Sequence, residues 1–155
     1  MTIDSSHPTV ATSIPTQPLS SAEERTWSVL AHLIVLLNLI TGFAGPIAAL
    51  VIYLIYKDRS RTVAYHALQA MLFQLIWWYG GGLLIGATWA GVGVLSAILV
   101  GILLIPVAVV MTLVLALLPI GAVIYGVVAA LQVNQGTDFK YWLVGDWVRS
   151  TLTGR

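Results

Sequence analysis

Apolar residues run through two blocks of this chain. The first extends from Trp27 to Tyr56; the second, from Thr62 to Thr137, contains no Asp, Glu, Lys or Arg at all. About 20 apolar residues cross the hydrocarbon core of a bilayer, so the second block crosses more than once. A water-soluble domain built around it would have no surface to present to solvent. The pattern predicts an all-α fold, a polytopic helical membrane bundle.

The first block would be about 45 Å long as a single helix, too long for a core of about 30 Å. It is interrupted by Thr41-Gly42-Phe43-Ala44-Gly45-Pro46, a turn composition in which Pro46 suits the first turn of a new helix. Two short helices, over about 27–41 and 46–57, are therefore expected to form a hairpin. In the second block the stretch Thr88-Trp89-Ala90-Gly91-Val92-Gly93 predicts a turn. One long helix then precedes it and another, over 94–133, follows it, kinked at Pro106 or Pro119. The expected total is four crossings. The alternative places a turn at Gly80–Gly82, after Trp77, Trp78 and Tyr79, and adds a fifth.

Polar and charged positions mark the ends. Residues 1–20, rich in Ser, Thr and Pro, are expected to be a disordered tail. No signal peptide is expected, since no basic region leads directly into an apolar run. Ser21-Ala22-Glu23-Glu24 matches a capping box with Ser21 as N-cap and Glu24 reaching back. The basic residues Arg25, Lys57, Arg59 and Arg61, with Asp58 among them, flank the first hairpin on both sides. By the positive-inside rule both flanks are cytoplasmic. Lys140 and Arg149 place the C-terminus there too. Three segments follow: the tail, a helical membrane domain over 21–137, and an amphipathic cytoplasmic segment over 138–155.

Composition removes several classes of function. Apolar types make up 59% of the chain and charged residues 8%, with a net charge of +1. There is no cationic surface for nucleic acid. The absence of cysteine removes disulfides and thiolate chemistry. The bilayer and other membrane protein subunits are the expected partners, and localisation in the bacterial inner membrane is expected.

Chemistry within spans is carried by polar residues, each costly without a partner. His32 and Asn38 lie on the first helix; His66, Gln69 and Gln74 lie near the start of the third. His66, Ala70, Phe73 and Trp77 share one stripe. His32 and His66 sit at similar depth and are placed to face each other. Two histidines fall short of a metal ligand set, and no nucleophile–base–acid arrangement or phosphate-binding loop occurs. The chain is therefore expected to be non-enzymatic, with no cofactor; His32 and His66 remain the candidates should a pigment or haem be held. Small residues recur at helix-packing spacing in three rows: Gly82, Gly86 and Ala90; Gly93, Ala97 and Gly101; Ala122, Gly126 and Ala130. They serve packing within the bundle or a face for another subunit. The resulting expectation is a structural or accessory membrane component. The alternatives are a small channel or transporter, and an accessory subunit of a pigment or electron-transfer complex.

Ala31-His32-Leu33, Gly45-Pro46-Ile47, Tyr53-Leu54-Ile55-Tyr56-Lys57-Asp58 and His66-Ala67-Leu68-Gln69-Ala70-Met71-Leu72-Phe73-Gln74 follow one another in order. Ala129-Ala130-Leu131-Gln132, Gly136 and Phe139-Lys140-Tyr141 close the series. Over about 25–148 the chain resembles small bacterial membrane proteins of a domain-of-unknown-function family related to Tic twenty, a subunit of the chloroplast inner-envelope import machinery. The resemblance implies a four-helix bundle with cytoplasmic termini and a link to protein transport.

Overall fold

The computed structural model describes residues 18–153. The expected tail lies outside the described residues, apart from Pro18, Leu19 and Ser20. Among the described residues there are helices and no strands. Helix α1 (Ser21–Leu33) continues through a 3-10 turn (Ile34–Leu36) into α2 (Leu37–Thr41), forming one rod over 21–41. After a tight turn comes α3 (Ala44–Tyr56). Helix α4 (Arg61–Gln74) runs through a π-helical segment (Leu75–Gly80) into α5 (Gly81–Ser96). Helices α6 (Val100–Leu115) and α7 (Leu118–Asn134) form the return rod, and α8 (Gly145–Thr153) ends the described chain.

Local chemistry explains the ends of these elements. Ser20, rather than the expected Ser21, is the N-cap of α1: its hydroxyl accepts from the Glu23 amide while the Glu23 carboxylate accepts from the Ser20 amide at 2.8 Å. Both serines have a glutamate three residues on, so spacing alone cannot choose between them. Gly42 ends the first rod with φ +76°, where a side chain would be strained. Thr41 accepts from the Ala44 amide at 3.0 Å and so starts α3. Ser60 caps α4 by accepting from the Val63 amide.

The second hairpin departs from expectation in one respect. Its turn lies at Ala97–Leu99, not at 88–93, and is closed by amide-to-carbonyl bonds from Ala97 to Val94, Ile98 to Leu95 and Leu99 to Ser96. The glycine-rich stretch 88–93 stays helical because apolar surroundings offer backbone groups no alternative partners. Close approach across the hairpin reinforces it. Trp89 donates to the Thr112 hydroxyl at 2.9 Å, and Gly101 packs so tightly on the backbone of Val92 and Ser96 that a side chain there would overlap them. Gly80–Gly82 makes no turn; the helix passes through it at the end of the π segment. The return rod is broken at Ala116–Leu117, just before Pro119, whose ring crowds the carbonyl four residues back. Pro106 is accommodated inside α6.

Helix α1 packs against α7 and α4, and α3 against α4, making a four-helix bundle. Trp78 donates to the Gly42 carbonyl at 2.8 Å and Tyr79 to the Phe43 carbonyl at 2.9 Å. These two bonds hold the tip of the first hairpin level with the π segment. Beyond that level α5 and α6 pack on each other and extend by about 24 Å. Their outer surface is apolar throughout: Leu83, Val94 and Leu103 are 74%, 75% and 78% exposed. Arg61–Ser96 and Val100–Asn134 are long and apolar enough to cross a membrane.

Candidate functional site

The buried polar residues of the bundle fall into two layers. In the layer nearer the charged end, His32 Nε2 lies 3.1 Å from His66 Nδ1, and His32 Nδ1 lies 3.1 Å from the Tyr141 hydroxyl. Gln69 Nε2 approaches His66 Nδ1 at 3.0 Å and donates to the Phe139 carbonyl at 3.1 Å. The Gln69 carbonyl oxygen accepts from the Tyr141 amide at 3.2 Å. These side chains are buried, with His32 and Gln69 fully so.

The partners determine the proton positions. A backbone carbonyl and a backbone amide fix the orientation of the Gln69 amide, so its nitrogen donates to His66 Nδ1. His66 Nδ1 is therefore an acceptor, and the His66 proton lies on Nε2. The same Nδ1 can receive only a donor from His32, so His32 also carries its proton on Nε2. His32 Nδ1 then accepts from the Tyr141 hydroxyl, whose phenol burial pushes above its ordinary range, with the nearby Tyr125 phenol adding to the effect. The Gln69 and His32 donors thus share the single lone pair of His66 Nδ1. In protein labelled with nitrogen-15 at histidine, both buried rings should appear as Nε2–H tautomers. An Nδ1–H signal from either would overturn the assignment.

The second layer lies deeper. Asn38 donates to the Gln74 carbonyl oxygen at 2.9 Å and accepts from the Gly45 amide at 2.7 Å. Gly45 is required there, since a side chain would overlap both amides. The Gln74 amide nitrogen has no partner among the described residues. Around the first layer sits an aromatic cluster: Phe73 stacks on Tyr141, with ring centroids 4.1 Å apart, and Tyr125 meets Phe73, Phe139 and Tyr141 edge-on.

Tyr141 reaches this position because the segment after α7 does not leave the bundle. Phe139, Tyr141 and Val144 are buried while Lys140 is exposed. The charge pattern predicts a cytoplasmic segment over 138–155 and gives no link between it and the histidines. The alternation of Phe139 and Tyr141 about Lys140 is the available signal: an extended strip laying one face on apolar surface.

Of the glycines marked by spacing, Gly126 packs against Val35 and Gly101 against the turn of α5, both within the chain. Gly82, Gly86 and Gly93 face open space. Lys57, Asp58 and Arg59 are exposed at the α3–α4 corner, with the Arg59 guanidinium over the Tyr56 ring. This corner adjoins the start of α1, where Ser60 donates to the Glu24 carboxylate at 2.5 Å. Arg149 of α8 bonds Asp138 at 2.7 Å and the Tyr65 hydroxyl at 3.3 Å. The charged groups among the described residues thus gather at one end of the bundle. No three of His, Asp and Glu come together as a metal site among the described residues.

Two helical rods with apolar surfaces, around a buried hydrogen-bonded core, define a membrane-associated helical protein. The profile of the magnetosome magnetite crystal formation protein family, MamF/MmsF, matches residues 23–148, and the chain belongs to that family. This corrects the Tic-twenty-like resemblance. His66–Gln74, the most specific of the segments that carried it, is a short and mostly buried stretch of α4, which packing constrains in many membrane bundles. The link to protein transport came with that resemblance and has no other support. No curated protein and no protein of solved structure matches the chain.

Proposed function

We propose that this chain is a non-enzymatic structural component of the membrane in which magnetite crystals form. Four helical rods enter that membrane, with both ends on the cytoplasmic side: the second hairpin spans it, and the first, whose tip stops about 24 Å short of the second's, is re-entrant. The reading rests on one observation: in the His32–His66–Gln69–Tyr141 layer and the Asn38–Gln74 layer the polar side chains bond one another, the Gln74 amide nitrogen excepted. Such layers set the docking of helices and offer no free acid or nucleophile. The rods of the second hairpin, about 54 and 52 Å long, exceed a core of about 30 Å.

The hairpin tips add a constraint. Gly42–Phe43 and Ala97–Leu99 carry no Asp, Glu or His. With the charged end in the cytoplasm, no carboxylate of the described residues faces the crystal, and the protein acts on crystal formation through the membrane and neighbouring subunits. The open face of Gly82, Gly86 and Gly93 is where a neighbouring helix approaches closely. Deleting the chain from a magnetite-forming bacterium should change crystal size, number or shape in electron micrographs, and the full-length chain should restore them. Unchanged crystals would remove the reading. In this cysteine-free chain, a cysteine at Arg59 should label with an impermeant reagent from the cytoplasmic side. One at Ile98 should not label from that side. Labelling of Arg59 from the opposite side would overturn the topology.

A further inference from the structure

At the charged end of the bundle lies an open cavity of about 790 Å³, between the starts of α1 and α4, the end of α7 and the underside of α8. Its walls are rich in hydrogen-bond donors. Arg25, Arg61 and Arg149 line it, and among the described residues neither Arg25 nor Arg61 has an ion-pair partner. Ser28 also lines it; this residue is fully buried, yet its hydroxyl has no hydrogen-bond partner. His66 closes the floor. Because the polar layer uses its Nδ1, the ring edge left for the cavity is Nε2, which carries the proton.

Two carboxylates share the cavity with three guanidiniums; one is paired and the other keeps its charge, so the lining is positive by one. Asp138 is held by Arg149, and Glu24 accepts from Ser60. The groups left over are two guanidiniums, one unpartnered hydroxyl and one imidazole N–H. A buried donor without an acceptor costs about 1–3 kcal/mol, so Ser28 marks a place that an acceptor completes. Arginine repels metal cations and forms paired hydrogen bonds to oxyanions. Basic pockets among helices at the cytoplasmic face suit phosphate-bearing headgroups.

We propose that this cavity is a binding site for a phosphate group, with Arg25 and Arg61 pairing its oxygens and Ser28 and His66 donating at its inner end. The phosphate belongs either to an anionic phospholipid headgroup or to a soluble phosphate, and the two sources are distinguishable. The test uses the full chain, purified in detergent. Phosphatidylglycerol in mixed micelles and inorganic phosphate are titrated separately, with intrinsic tryptophan fluorescence and the thermal midpoint as readouts. A response to the lipid, not matched by phosphate, assigns a headgroup site; a response to phosphate assigns a soluble ligand.

In either case the Arg25→Gln/Arg61→Gln double variant should weaken binding by about tenfold or more. Ser28→Ala should weaken it severalfold without lowering the midpoint of the unliganded protein, since its hydroxyl bonds nothing there. The double variant Lys57→Gln/Arg59→Gln removes the same charge from the corner outside the cavity and should bind as the parent does. Three results would overturn the site: no response to either probe, equal losses in the two double variants, or unchanged binding in Arg25→Gln/Arg61→Gln.

Discussion

Gln69→Leu should be the most damaging single substitution in the interior, lowering stability by about 3 kcal/mol or more. Leucine fills similar space, so the effect is one of hydrogen bonding. Among the described residues the Gln69 amide alone hydrogen-bonds the Phe139 carbonyl and the Tyr141 amide to α4, and it also donates to His66. Removing it leaves two buried backbone groups without partners, at about 1–3 kcal/mol for each, while His66 Nδ1 keeps its donor from His32. The segment 138–144 should then detach and take the Tyr141–His32 bond with it. Gln74→Leu is the control. Gln74 accepts one bond from Asn38, and its nitrogen already lacks a partner, so the loss should be about 1 kcal/mol. Unfolding of both variants in detergent, followed by helical circular dichroism, measures the difference. Equal losses would contradict the assigned role of Gln69. His66→Leu belongs between the two, since it removes one acceptor that serves two donors.

Gly45→Ala should be nearly as severe, at about 2–4 kcal/mol, although it adds a single methyl group. That methyl would occupy the position of the Asn38 and Gln74 amides, and relief requires them to swing aside and give up the Asn38–Gln74 and Gly45–Asn38 bonds. The same substitution at Gly86, which faces open space, should be neutral or stabilising by about 0.5–1 kcal/mol, the usual gain of alanine over glycine in a helix. Gly126→Ala should fall between them, because its methyl would press on a Val35 methyl that can shift. Thermal midpoints of the three variants provide the ranking, and a Gly45→Ala protein as stable as the parent would refute the close contact.

These glycines separate what residues announce from what packing decides. Gly86 and Gly126 belong to rows of identical spacing, yet one is open and the other lies against α1. Nothing in the rows distinguishes them. The interval from Gly82 to Gly86 records only which residues share a helix face; whether a face is covered depends on where the neighbouring rod ends. The first hairpin stops at Gly42, held level with the π segment by Trp78 and Tyr79, so beyond that level α6 is the neighbour of α5 among the described residues.

Apolar periodicity and charge placement determined the broad features. An uncharged block from Thr62 to Thr137 has no folded state in water, and Gly42 at the end of a helix dictates a turn through its positive φ. Both are local or compositional constraints, and they fixed the helical class, the first hairpin and the depth of the two histidines. The turn at Ala97–Leu99 was settled instead by pairing across the hairpin, where Trp89 meets Thr112 and Gly101 meets Val92. Tertiary structure also brought Tyr141 to His32, 109 positions away in the chain, and with it the proton positions of both imidazoles. A hydrogen bond between distant segments leaves no periodic trace in either one. A buried donor is identified only once its acceptor is in place, and for this protein that required α1, α4 and the segment after α7 to pack together.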